Sequence, residues 1–266
     1  MRQRHAVQWN EEKISRFWDH ASAHNRADYF SSVFAKALAS EIASVAEPGG
    51  VILDLGCGVG DLMIELDARG YGVRGVDSSP ESIATARRRL PRLGHQSLLV
   101  GSLTQLPVSD EIADVAVLIE VVEHLLDRDL GPVLHEAFRV IKPGGRILVS
   151  TPNAERLTDA EVICPRCGAT FHRIQHVRRW TAASITAVLI DAGFDSPVAM
   201  ERRLASHEML THRVWRRMAT LQDRAMLCPD CGAEFRRPLR LNRETRPHPA
   251  LPHLIATASR PWQASR

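Results

Sequence analysis

The sequence predicts an α/β fold, a doubly wound parallel sheet with helices on both faces. Three observations carry this. Apolar, strand-like runs alternate with segments of helical periodicity, the pattern of parallel strands buried on both sides. The first run, Val51–Leu55, leads into the glycine-spaced turn Gly56-Cys-Gly-Val-Gly60 and then into a helical pattern opening at Asp61. The 266 residues, 44% hydrophobic and 24% charged, suffice for one large core with insertions.

In chain order, residues 1–47 read as helical, with Trp9, Phe17, Trp18, Tyr29 and Phe30 set in a polar amphipathic stretch that Glu47-Pro-Gly-Gly50 ends. The strand Val51–Leu55 holds Asp54 within its apolar run, where an unpaired carboxylate is costly. Gly56, Gly58 and Gly60 let the backbone turn sharply and let a ligand approach its N–H groups. A second strand, Gly72–Asp77, ends on an acid able to accept from ribose hydroxyls. A helix is expected over residues 80–90, a short third strand over 96–100 and a fourth over Ala113–Ile119. Ligands in such sheets sit beyond the carboxyl ends of the strands, where the glycine turn, Asp77, the Gly101-Ser-Leu103 step and Glu120 all fall.

Val51-Ile-Leu-Asp-Leu-Gly-Cys-Gly-Val-Gly-Asp61 resembles the first motif of the class I S-adenosylmethionine-dependent methyltransferases. A nicotinamide fingerprint wants a third glycine at position 61, which is Asp. The second strand, the fourth strand and the stretch from Leu134 through Lys142-Pro-Gly-Gly145 to Asn153 follow the family's order, so that the resemblance covers residues 45–200. It implies a Rossmann-like methyltransferase domain over residues 48–266 and an N-terminal helical lid over 1–47. The cofactor implied is S-adenosylmethionine, held by Asp54, Gly56, Cys57, Gly58, Gly60, Asp77, Ser78, Ser102, Leu103 and Glu120. Ser102 departs from the family, which commonly has Asp there to accept from the adenine amino group. Cys57 reads as a small packing residue, not a nucleophile.

Glu120-Val-Val-Glu-His124 follows the fourth strand directly. Two carboxylates and an imidazole in five residues make a divalent-cation set, although Glu123 and His124 equally suit the opening of the next helix. Downstream, His176-Val-Arg-Arg-Trp-Thr181 precedes an apolar-periodic helix over residues 182–192. Together these resemble the E-x-x-E-H…H pattern of the small-RNA 3′-terminal 2′-O-methyltransferases and the ubiquinone-pathway O-methyltransferases. That resemblance implies Glu120, Glu123, His124 and His176 as catalytic ligands of Mg²⁺, Mn²⁺ or Fe²⁺, with His172 a weaker candidate.

Cys164-Pro-Arg-Cys-Gly168 and Cys228-Pro-Asp-Cys-Gly232 are matched knuckles, over residues 161–172 and 226–236. Each presents two thiolates, and together they predict a structural Zn²⁺ held by Cys164, Cys167, Cys228 and Cys231 in a ribbon assembled from two insertions. The sixty or so intervening residues include a basic helix expected near 210–226, and the strand His253–Ser259 is expected to close the sheet antiparallel.

A net charge of +3 does not by itself call for nucleic acid, and the arginines between Arg202 and Arg246 read as a solvated basic surface. No apolar run reaches membrane-spanning length, and Met1-Arg-Gln-Arg-His lacks a signal core. A cytoplasmic protein with five reduced cysteines is expected. The expected function is metal-assisted O-methylation of a small hydroxylated acceptor: a sugar, natural-product or quinone-type phenol. The alternatives are an RNA 3′-terminal 2′-O-methyltransferase and a metal-free N-methyltransferase.

Overall fold

A computed structural model describes residues 3–24, 30–204, 225–236 and 252–262. Its centre is a seven-stranded sheet built from β2 (Val51–Leu55), β3 (Gly72–Asp77), β4 (Leu98–Val100), β5 (Ala113–Ile119), β6 (Ile141–Pro152), β9 (Asp195–Arg202) and β12 (His253–Ser259). The order is β4-β3-β2-β5-β6-β12-β9. The first five strands are parallel, and β12 runs antiparallel between β6 and β9.

Side chains alternate between two cores, as period-two geometry requires. Ile52, Val115, Val117 and Leu148 face helices α2 (Phe30–Ala43), α3 (Asp61–Asp67) and α4 (Pro80–Arg89). Leu53, Ala116, Leu118 and Val149 face α5 (Asp127–Val140) and α6 (Ala182–Asp191). Both faces are packed with apolar side chains, and ligands of such sheets sit beyond the carboxyl ends of the strands.

The cysteine knuckles form a satellite beside this sheet. Hairpin β7 (Glu161–Ile163) with β8 (Ala169–His172) carries Cys164 and Cys167, and hairpin β10 (Ala225–Leu227) with β11 (Glu234–Arg236) carries Cys228 and Cys231. Strand β1 (His5–Ala6) pairs with β8, and α1 (Glu11–His24) packs Phe17 and Ala21 into the same cluster as Val162, Phe171 and Cys228. Ion pairs of Asp230 with His5 at 3.0 Å and Lys13 at 2.7 Å complete the attachment.

Several expectations need correction. The N-terminal segment is not helical throughout, because β1 precedes α1. The third strand begins two residues late, since His95–Ser97 form a 3₁₀ turn. The helix expected near 210–226 fails at its end: Ala225 and Met226 lie in β10, where Met226 pairs with Phe235. The rest of that helix, Tyr29 and most of the arginines between 202 and 246 lie outside the described residues. Among the described residues, no helix is long and apolar enough to cross a membrane.

Candidate functional site

The glycine turn links β2 to α3, with Gly56, Gly58 and Gly60 all at positive φ (85°, 52° and 80°). A Cβ on Gly56 would meet Val121 Cγ2 at 2.8 Å, so the turn and the loop after β5 lie in contact. The amide of Gly58 donates to Asp77 Oδ2 at 2.9 Å and that of Ser79 to Oδ1 at 2.8 Å, fixing the acid at the turn's mouth. Arg89 donates to the Val59 carbonyl at 2.7 Å and pairs with Asp61, which clamps the turn from α4.

Burial pushes Asp54 up to about 7, with the charge of Asp77 adding to it. Burial is also the main cause of Asp77's upward shift, against which its two backbone hydrogen bonds work. A buried acid, Asp54, with a half-buried one, Asp77, close enough to feel its charge, suits a cationic ligand, as a sulfonium with an α-amino group would be. Cys57 lies buried in the turn. Its Sγ packs where a Cβ on Gly75 would stand, and burial, with Asp54 and Asp77, holds the thiol well above its ordinary value. Ser78 is exposed at the strand end. The Ser102 hydroxyl is occupied locally, 2.8 Å from Thr104 Oγ1 and accepting from the Thr104 amide at 3.2 Å, while Leu103 packs against the core.

The second half of the site gathers Glu123, His124 and His176, one ligand atom from each lying within 4.8 Å of the others. Glu123 Oε1 is 4.0 Å from both His124 Nε2 and His176 Nε2. That oxygen is buried and accepts no hydrogen bond among the described residues, whereas Oε2 accepts from Thr151 Oγ1 at 3.0 Å. Burial first, and Glu120's charge second, push the Glu123 carboxyl well above its usual range. Ligands on one small ion stand about 3 Å apart, so an ion seated there would draw the three side chains inward.

The loop from 172 to 178 is sewn to the loop after β5. Val177 N donates to Glu123 O at 2.9 Å, Gln175 Nε2 donates to His124 O at 3.0 Å, and Arg178 donates to Leu125 O at 2.8 Å. From α1, Trp18 sets its ring edge-on to His124 and donates Nε1–H to Gln175 Oε1 at 2.9 Å.

Glu120 lies next to the group of Glu123, His124 and His176. It sits at φ 54°, accepts from Ser150 Oγ at 2.8 Å through Oε1, and places Oε2 3.4 Å from His253 Nε2. Glu120 thus lies beside the trio, near enough to Glu123 for their charges to interact. His172 lies in a second group, Glu155, His172 and His176. Sequence reasoning missed Glu155, His253 and the Trp18–Gln175 contact. Burial opposes ionising Glu155, but bonds and charges from His172 and His176 outweigh it and hold the carboxyl well below the usual range. Burial likewise lowers His172.

The four cysteines converge. Sγ–Sγ separations are 3.7 Å for Cys164–Cys231 and 3.6 Å for Cys167–Cys228. Four thiolates at 2.3 Å from a tetrahedral Zn²⁺ stand about 3.8 Å apart, so the donor set fits that ion, and the distances exclude disulfides. The knuckles are twins: Cys164 N bonds Ala169 O at 2.8 Å, and Cys228 N bonds Ala233 O at 3.0 Å.

Residues 53–149 match a family described as a methyltransferase domain. The chain is 37% identical over 147 residues to a probable S-adenosylmethionine-dependent methyltransferase of Mycolicibacterium smegmatis, covering 54% of this chain and 51% of that protein. It spans about half the length of the curated relatives it matches first. Among solved structures it superposes on a Burkholderia thailandensis 1,6-didemethyltoxoflavin N1-methyltransferase with bound S-adenosylhomocysteine at a TM-score of 0.63 and 18% identity, covering 98% of this chain and 94% of that one. It also superposes on the (4+2)-cyclase SpnF at 0.65 and 15% identity, covering 97% and 100%. The protein therefore has the Rossmann-like fold of the class I S-adenosylmethionine-dependent methyltransferases, and its residues 53–149 are similar to a methyltransferase domain. The cyclase is a reminder that this fold hosts more than one reaction.

Proposed function

We propose that the protein transfers a methyl group from S-adenosylmethionine to a hydroxyl of a small acceptor, at a site holding a divalent ion. The observation that carries this is the convergence of Glu123 Oε1, His124 Nε2 and His176 Nε2 beside the glycine turn. The bound cofactor supplies an electrophilic methyl on a sulfonium; the bound ion supplies Lewis acidity that lowers the acceptor hydroxyl's pKa. One carboxylate and two imidazoles favour Mn²⁺ or Fe²⁺ over Mg²⁺, which prefers all-oxygen surroundings.

The chain's own residues do the rest. Asp54, Asp77 and the glycine turn orient the cofactor. Trp18 and the 172–178 loop exclude water over His124. Glu120, with His253 behind Oε2, is the carboxylate left to receive the acceptor's proton. A Zn²⁺ held by Cys164, Cys167, Cys228 and Cys231, with no open position, braces β8 and hence the loop that delivers His176.

The test is release of S-adenosylhomocysteine by zinc-replete protein offered diols and catechols against amines, with and without Mn²⁺. Mn²⁺-dependent turnover of a diol or catechol supports the reading; turnover of amines alone, indifferent to metal, points to metal-free N-methylation.

Asp54 adds a pH signature. The folded chain keeps this proton up to about pH 7, whereas the ordinary value is 3.8, so the cofactor-free fold loses stability as pH rises through that window. A cationic ligand favours the carboxylate. S-adenosylmethionine affinity should therefore rise about tenfold from pH 6 to pH 8, and Asp54→Asn should flatten the profile in calorimetric titrations.

A further inference from the structure

The trio's imidazoles can serve an ion only if both present Nε2 as a bare lone pair, and the structure contains the means to enforce this. His124 Nδ1 lies 3.4 Å from the Gln175 carbonyl, its outer acceptor. His176 Nδ1 has a charged one, hydrogen-bonded to Glu155 Oε2. With Nδ1 carrying the proton, each ring turns its Nε2 lone pair toward the space beside Glu123 Oε1, where an ion would sit.

Glu155 is itself held in place. It follows Ala154, which sits at φ 53° with its amide bonded to Trp180 O at 2.7 Å. Its other oxygen, Oε1, stands 3.5 Å from His172 Nε2. The tautomer of His172 follows from its partners. Its Nδ1 accepts from the His176 amide at 3.1 Å and the Ile174 amide at 3.4 Å, so the ring proton is on Nε2, facing Glu155. The rings of His172 and His176 stack at 4.5 Å with 14° between planes. All three side chains are buried: Glu155 is 8% exposed, His172 6% and His176 4%. Gln175, at φ 59°, turns the loop so that its carbonyl serves His124 while the next amide serves His172.

We propose that Glu155 is a positioning residue: by accepting the Nδ1 proton of His176 it fixes that ring with Nε2 toward Glu123, and His172 fixes Glu155 in turn. This rests on the metal reading above. With its Nδ1 taken by two backbone amides and its Nε2 3.5 Å from Glu155 Oε1, His172 acts in this scheme as outer support for Glu155.

The test uses zinc-replete full-length protein, Mn²⁺ titration followed by electron paramagnetic resonance, and ¹⁵N NMR of the histidine rings before Mn²⁺ is added. In the wild type His176 should carry its proton on Nδ1. Glu155→Gln keeps an acceptor oxygen without the charge, so the tautomer should persist while Mn²⁺ affinity falls about tenfold. Glu155→Leu removes the acceptor, so the Nδ1–H preference should vanish and affinity should fall about 100-fold. Zinc content and S-adenosylhomocysteine affinity within twofold of wild type show that the variant has folded; should Glu155→Leu fail that check, Glu155→Gln decides alone. Wild-type Mn²⁺ affinity in the folded variants overturns the positioning role while leaving the metal reading intact. No Mn²⁺ binding in the wild type overturns the metal reading, and the role with it.

Discussion

Glu123→Gln should lower kcat/KM by about 10³-fold, the several kcal/mol a bound cation contributes to a developing oxyanion, and at the same time stabilise the metal-free fold. The two effects have one cause. Glu123 Oε1 is a buried oxygen that accepts no hydrogen bond among the described residues, close enough to Glu120 to feel its charge. A carboxyl pushed above its ordinary value costs the fold stability as pH rises past that value, so at pH 7 the neutral amide relieves the cost. Gln can still accept from Thr151 Oγ1, so packing is retained. A gain of about 3 °C in melting temperature at pH 7 after chelation, shrinking toward zero at pH 4, is expected by calorimetry. A variant that melts lower and keeps its activity would mark Glu123 as an ordinary core residue.

Cys228→Ser should detach the N-terminal helix while sparing the cofactor end. Structural zinc in small modules is worth roughly 10–16 kcal/mol, more than a domain's usual margin, so the knuckles should not survive its loss. Residues 5–20 are tied to those knuckles through β1–β8 pairing, Asp230 and a hydrogen bond from Arg16 to Pro229 O at 3.2 Å. With them goes Trp18, and with Trp18 the cover over His124. Hydrogen exchange should show lost protection in β1, α1, β7 and β8, and acceptor KM should rise about tenfold or more. S-adenosylmethionine affinity should stay within twofold, because the glycine turn rests on β2, β3 and α4. Equal loss at both ends would show that the knuckles support the whole sheet.

Much of this was legible in the sequence because its signals are local. The strands from Val51 to Ile119 declare themselves by mainly apolar runs, the turn by glycines 56, 58 and 60, and the knuckles by twin cysteine spacings. Three of the four side chains that E-x-x-E-H…H singles out, Glu123, His124 and His176, lie together. The fourth could not be judged by spacing, because a left-handed backbone at Glu120 turns its side chain to Ser150 and His253. Glu155 sits in a polar loop with nothing to distinguish it from solvent-facing acids; only the crossing of that loop with the segment after β8 makes it a partner of two histidines. His253 reads as the first residue of a strand, and its site role depends on register, since it pairs with Pro152 across from β6. The helix expected near 210–226 failed at Ala225 and Met226 because the knuckle needs a flanking strand there, and tertiary pairing overrides periodicity.

The most direct measurement is a crystal grown with S-adenosylhomocysteine and Mn²⁺, with anomalous maps recorded on both sides of the zinc and manganese edges. We expect zinc among the sulfurs of Cys164, Cys167, Cys228 and Cys231, manganese bound by Glu123 Oε1, His124 Nε2 and His176 Nε2, and the cofactor product lying against Asp54, Asp77 and the glycine turn. A map with the product in place, millimolar Mn²⁺ in the crystal and no manganese among Glu123, His124 and His176 would contradict the metal-assisted mechanism.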